Sequence, residues 1–150
     1  MKTRLTLITA LTAGAALTLA GCGSSFEDSR DLYEELRVEI GCDTVDSDDF
    51  DSYMEGEVAD GFPAFDIVEG ECTSGDEDFS IIAVVPHDVK GTEFLDALQA
   101  EDTQAYGVDG GKWVVLVDGT DEEDLEFAQT VKDTVGGSVV ELTESGVEKV

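Results

Sequence analysis

One histidine, His87, faces a very large supply of carboxylates. Nucleophilic or acid–base chemistry in this chain must therefore run through a single imidazole or through paired acids. His87 follows Pro86 at the end of an apolar run, a loop position of the kind that carries functional side chains. A Ser-His-Asp relay would need a serine aimed at it, and the sequence holds no Gly-x-Ser-x-Gly elbow. Exposed loop residue is the simpler reading of His87. Gly-x-Gly-x-x-Gly and Walker patterns are absent too, and Gly110-Gly111 and Gly136-Gly137 read as turns. With 36 Asp and Glu, no acid pair stands out from the rest. The expectation is no catalytic residue and no enzyme.

Oxygen ligands at short spacing suit calcium, and Asp43, Asp46, Asp48, Asp49, Asp51, Glu55 and Glu57 form such a run. If Asp46 opened an EF-hand loop, Asp48 and Glu57 would fall at ligand positions three and twelve. Phe50 would then occupy position five, and Asp51 would replace the glycine that the sharp turn needs at six. Asp46, Asp48 and Glu57 are thus candidate Ca²⁺ ligands in a loop unable to make the turn. A solvated acidic loop without metal or cofactor is expected. Asp121-Glu122-Glu123-Asp124 sits in the first turn of a predicted helix, where negative charge favours the helix dipole. Trp113 stands among Val and Leu, which points to packing rather than ligand stacking.

Positioning these residues falls to a short list of elements. Phe26, Leu32, Tyr33, Leu36 and Ile40 recur at helical steps. Ser25 with Asp28 resembles a capping box, and Gly41 marks the helix end, leaving Cys42 just beyond it. Residues 43–61 read as an acidic loop with a short helix around Phe50 to Met54. Phe65 to Cys72 alternates as a strand, with Val68, Gly70 and Cys72 on one face. Phe79 to Val85 completes an antiparallel hairpin with a longer loop. The continuous run Ile81-Ile82-Ala83-Val84-Val85 suits a strand covered on both faces. Thr92 caps a helix to about Ala100, Gly107 to Gly111 turns, and Lys112 to Val117 is a strand. Thr120 and Glu123 form a capping box for a helix to about Val135, and Ser138 to Leu142 is a last strand. The order α-β-β-α-β-α-β predicts an α+β, α/β-like single domain over residues 26–142. Its sheet is expected to be four-stranded and mixed, with crossover helices packed on it and a frayed tail at 143–150.

The N-terminus carries the sharpest motif. Lys2 and Arg4 precede an apolar run from Leu5 to Ala20, of signal-peptide length and too short for a comfortable membrane span. It closes on Leu19-Ala20-Gly21-Cys22, which resembles the lipobox of bacterial lipoproteins at every position. The resemblance covers residues 1–22. It implies removal of residues 1–21 and attachment of a diacylglycerol to Cys22, often with N-acylation (palmitate is a usual chain). Two acyl chains anchor a protein stably where one does not. It also implies residence on the outer, extracytoplasmic face of a cell membrane, with residues 22–25 as a short linker. Of three cysteines, Cys22 is then taken by lipid. Cys42 and Cys72 remain, an even remainder that reads as one disulfide in an exported chain. Such a bridge would clip the first helix to the first strand. The helix–Cys42, strand–Cys72 and terminal αβ pattern also resembles small lipoproteins of high-GC Gram-positive bacteria, many without assigned activity.

Charge sets the remaining bounds. The chain holds 8 Lys and Arg against 36 acids, formally −28. Without Lys2 and Arg4 the mature form has 6 against 36, formally −30. Nucleic acid is excluded as a partner. An anionic bilayer surface repels such a domain within a Debye length of about 8 Å, so an anchored domain should turn its least acidic face to the membrane. The charge reads first as solubility or adaptation to a salty habitat, ahead of recruitment of a basic partner and of cation binding. The functional expectation is a non-catalytic interaction or accessory module of the cell envelope, with a basic or envelope protein as a candidate partner. The alternative is a small-ligand or cation-binding lipoprotein beside a transporter.

Overall fold

The computed structural model describes residues 25–43 and 63–150. Three helices, α1 (Ser29–Ile40), α2 (Gly91–Ala100) and α3 (Glu122–Val135), are each followed by a hairpin among the described residues. The hairpins are β1 (Phe65–Ser74) with β2 (Glu77–Pro86), β3 (Ala105–Asp109) with β4 (Val114–Asp118), and β5 (Ser138–Thr143) with β6 (Gly146–Lys149). The class is α+β, as expected. The sheet is not four-stranded and mixed: six strands pair antiparallel throughout, in the order β1-β2-β4-β3-β5-β6.

Two strands account for the correction. β3 occupies part of the segment read as a turn, and β6 lies within the expected frayed tail. Gly107 sits inside β3, where a side chain would come close to Val140, whose Cγ2 lies 3.2 Å from the position of a Cβ. α2 and α3 do each cross between two parallel strands, but each skips one. α2 carries the chain from β2 past β4 to β3, and α3 carries it from β4 past β3 to β5. The skipped strand fills the gap with antiparallel pairing on both sides. The two crossovers move the same way across the sheet from strands of opposite direction. Sharing one hand then requires their helices on opposite faces.

The core shows that arrangement. One face carries Ile81, Ala83 and Val85 of β2 with Val115 and Val117 of β4, covered by Leu32 and Leu36 of α1 and by Phe127 and Val131 of α3. The other face carries Val84, Val114, Leu116 and Leu142 under Phe94, Leu95 and Leu98 of α2. Alternate residues of β2 and β4 are therefore buried on opposite sides, which is why both strands read as unbroken apolar runs. Phe79 stacks on Phe127 at 4.3 Å on the first face, and Phe65 meets Phe94 edge-on at 5.0 Å on the second.

Helix ends differ slightly from the sequence reading. The carboxylate of Asp28, not Ser25, caps α1 by accepting the Asp31 N–H at 2.9 Å. Gly41 ends that helix with φ 87°, donating to the Arg37 carbonyl. α2 starts after Lys90 rather than at Thr92, and α3 starts after Asp121 rather than Thr120. In both, the acid at the third helical position closes back: Glu93 accepts the Lys90 N–H and Asp124 accepts the Asp121 N–H, each at 2.9 Å.

Cys42 lies directly opposite Cys72 on the outer edge of β1, and the two form a disulfide. The flanking Asp43 N–H donates to the Glu71 carbonyl at 2.8 Å, which places the cysteines at a non-hydrogen-bonded pair, where side chains approach closest. Both are buried in the α1 side of the core. Tyr33 crosses β1 above Gly70 and donates its hydroxyl hydrogen to the Asp43 carbonyl at 2.7 Å. The disulfide and this bond fix the chain leaving α1 to the sheet edge. The expected helix around Phe50 to Met54 lies outside the described residues.

Candidate functional site

The antiparallel order gives the sheet two ends. At one, which we call the proximal end, Phe65, Pro86, Asp109, Val114 and Ser138 are brought level by the registers of β1 to β5. The loops here are 87–90, 110–113 and 136–137, and α1 begins beside them. The other, distal end carries the turns 75–76, 101–104, 119–121 and 144–145.

A cavity of about 440 Å³ opens at the proximal end. Phe26, Val85, Pro86 and Val89 supply its apolar walls, and Lys90, Lys112, Asp88 and Glu93 its charges. Its frame is rigid for local reasons. The Gly91 N–H donates to the Gly111 carbonyl at 2.9 Å, tying the start of α2 to the β3–β4 loop. Asp109 accepts the Gly111 N–H at 2.8 Å, and the Gly110 N–H donates to the Trp113 carbonyl. Trp113 is fully buried beneath this loop, and a side chain at Gly110 would overlap its ring. Phe26 packs edge-on against Trp113 at 5.6 Å, so the segment before α1 is seated on the same end of the sheet. Two ammonium groups and two carboxylates over apolar walls make a mixed-charge rim, in which the lysines are the groups able to meet an anion.

His87 stands next to this cavity but does not line it. Its Nε2 lies 3.2 Å from the Asp66 carboxylate on the neighbouring strand, with both side chains about half exposed (47 % and 48 %). Its backbone N–H donates to the Ala64 carbonyl at 2.7 Å. The imidazole is thus placed at the sheet end, beside a carboxylate and open to solvent. Trp113 is core, as its neighbours suggested. Asp121 to Asp124 form the first turn of α3 and its cap.

Tyr33 is the most perturbed titratable group with a structural role. Its pKa is pushed up to about 12, first by burial and then by the nearby Asp43 and Glu34 carboxylates. Burial, then Glu141, raises Tyr106 as well. Both shifts keep phenols neutral, which suits buried packing residues.

Among the described residues no group of three or more His, Cys, Asp and Glu is placed to hold a metal ion. The calcium candidates Asp46, Asp48 and Glu57 lie outside the described residues, as does the lipid candidate Cys22. Sequence reasoning did not single out Phe26, Lys90 or Lys112. Their signal was the rarity of lysine in so acidic a chain, and it becomes readable only once the topology brings them together. Comparison with protein families, with curated proteins and with solved structures finds no match to this chain.

Proposed function

We propose that this protein is a lipid-anchored, extracytoplasmic module of the cell envelope, held by Cys22 on the outer face of the membrane and acting by interaction rather than catalysis. The observation that carries the reading is the buried Cys42–Cys72 bridge. Such bridges persist in oxidising compartments outside the cytosol, the destination that the Leu19-Ala20-Gly21-Cys22 lipobox resemblance implies. His87, paired in the open with Asp66, lacks the burial that strengthens a catalytic relay. No described helix is long and apolar enough to cross a membrane. A basic protein of the envelope is the partner that the charge favours.

The intact mass of the protein extracted from its own membrane tests this. It should equal residues 22–150 plus a diacylglyceryl group, and Cys22→Ala should release the protein from the membrane fraction. An unmodified mass in the wild type refutes the reading.

A second reading, small-ligand binding beside a transporter, is favoured by the proximal cavity, which falls in the size range of ligand pockets. A stoichiometric small-molecule adduct in the native mass spectrum of the freshly purified protein would support it. Its absence at native concentration would count against it.

A further inference from the structure

We propose that the proximal end of the sheet, around Phe26, Lys90 and Lys112, is the surface this domain rests on the membrane, meeting the phosphates of anionic phospholipid headgroups. The proposal rests on the lipid-anchor reading and adds an orientation to it.

The first support is reach. Cys22 precedes Phe26 by four residues, a contour of at most about 14 Å. Phe26 is seated on Trp113 and forms a wall of the proximal cavity. A lipid on Cys22 therefore holds this end, and not the distal one, near the bilayer.

Charge is the second support. The mature chain has six Lys and Arg. Lys90 and Lys112 line the cavity, Arg30 lies in the first turn of α1, and Lys132 lies in the last turn of α3, which ends at the proximal loops. Lys149 closes β6 beside Val140, near the same end. Only Arg37 lies toward the other end, paired with Glu34 at 2.8 Å. Carboxylates share this end: Asp88 and Glu93 line the cavity, Asp28, Asp66 and Asp109 lie around it, and Lys132 is paired with Asp133 at 3.2 Å, so it is the less acidic end rather than a basic one. The distal turns are wholly different. Residues 75–78, 101–104, 118–124 and 143–146 contain acid after acid and not one lysine or arginine.

Lys90 adds a third support, because folding does not account for it. It occupies the N-cap position of α2, where Ser, Thr, Asp and Asn are preferred and positive charge opposes the helix dipole. Lys112 is exposed at a tight loop and has no ion pair among the described residues. Both ammonium groups are free to meet phosphate.

Trp113, the single tryptophan of the chain, reports the orientation without added labels. The full lipidated protein would be floated with vesicles containing phosphatidylglycerol and a headgroup nitroxide lipid, and quenching of Trp113 followed. Strong quenching is expected. Lys90→Glu with Lys112→Glu should still float, while its docked-to-undocked ratio falls by at least about 25-fold, about fivefold for each lysine. Phosphatidylcholine-only vesicles should likewise hold the wild type with weaker quenching. Quenching that is absent in floating wild type, or unchanged by the double variant and by lipid charge, overturns the orientation alone. Failure to float overturns the anchor itself, and the orientation with it.

Discussion

Replacing Gly70 by alanine sets a new methyl group against the Tyr33 ring. The Cβ would fall on the phenol, overlapping the hydroxyl and lying 2.7 Å from Cε2. Tyr33 is 2 % exposed and is held by its bond to the Asp43 carbonyl, so it cannot move without losing both burial and hydrogen bond. Overpacking of this kind costs about 1–3 kcal/mol. The lost hydrogen bond adds about 1 kcal/mol. Alanine offsets about 0.4–1 kcal/mol by restricting the unfolded chain. The net expectation for Gly70→Ala is a destabilisation of about 2–3 kcal/mol. Tyr33→Ala alone should cost about 3–5 kcal/mol. In the Tyr33→Ala background the clash is gone, and Gly70→Ala should become neutral or mildly stabilising. The cycle would then show a coupling of about 3 kcal/mol. Tyr33→Phe sharpens the test, because the ring stays and Gly70→Ala should remain costly there. Urea unfolding followed by Trp113 fluorescence measures every corner. Additivity of Gly70→Ala and Tyr33→Ala within about 0.5 kcal/mol would refute the claim that Gly70 is glycine to admit Tyr33.

Three further outcomes are expected. The Cys42–Cys72 bridge closes a separation of 30 residues, which the chain-entropy treatment values at about 3.6 kcal/mol, so replacing both cysteines by serine should lower the melting temperature by about 10 °C or more; a fall of only a degree or two would mean that packing alone holds α1 to β1. Tyr33 should make the protein alkali-sensitive. Its folded pKa lies above the unfolded value near 10, so its stabilisation is complete below pH 10 and is lost as pH rises toward about 12. The urea midpoint should fall in that window for the wild type and less steeply for Tyr33→Phe, and parallel profiles would contradict the assignment. Salt should raise the melting temperature, since going from about 0.01 M to about 1 M shortens the Debye length from about 30 Å to about 3 Å and screens the acidic turns. A flat response between those concentrations would show that the self-repulsion is already relieved.

What could be read from the sequence follows the strength of local pattern. β2 and β4 were legible because Ile81 to Val85 and Val114 to Val117 are apolar at every position, as burial on both faces demands. β1 was legible by its alternation, with Val68 and Cys72 facing the core. β3 was hidden by Gly107, a turn residue by propensity that sits in the strand where a Cβ would come close to Val140. β6 was hidden by its brevity, with Val147 its single apolar contact to the core. Missing those two strands changed more than the count. With β3 absent from the reading, a helix between apparent neighbours implied parallel pairing. Restoring it makes every pair antiparallel. Caps moved by a residue or more because each boundary offered several acids and hydroxyls, and only the backbone angle decides which one turns back.

The same topology explains why net charge alone could not point to a surface. Lys90, Lys112, Lys132 and Lys149 are roughly twenty residues apart, and between them fall the acidic turns at 101–104, 118–124 and 143–146. In a linear reading this is an even mixture, with sparse bases diluted among abundant acids. In the fold, one outward and one returning element together span about that interval, so the chain revisits the proximal end as often as a lysine appears. The acidic turns fall at the half-period and collect at the distal end, while Asp66, Asp88, Glu93, Asp109 and Asp133 stay at the proximal one. A sequence with these charges shuffled by half a period would have the same composition, net charge and elements. Under the proposed lipid anchor on Cys22, it would present its acidic turns to the bilayer beside Phe26. The phase of the charge pattern relative to the strands, rather than its sum, therefore decides which end is the less acidic, and under the proposed anchor that is the end beside the bilayer.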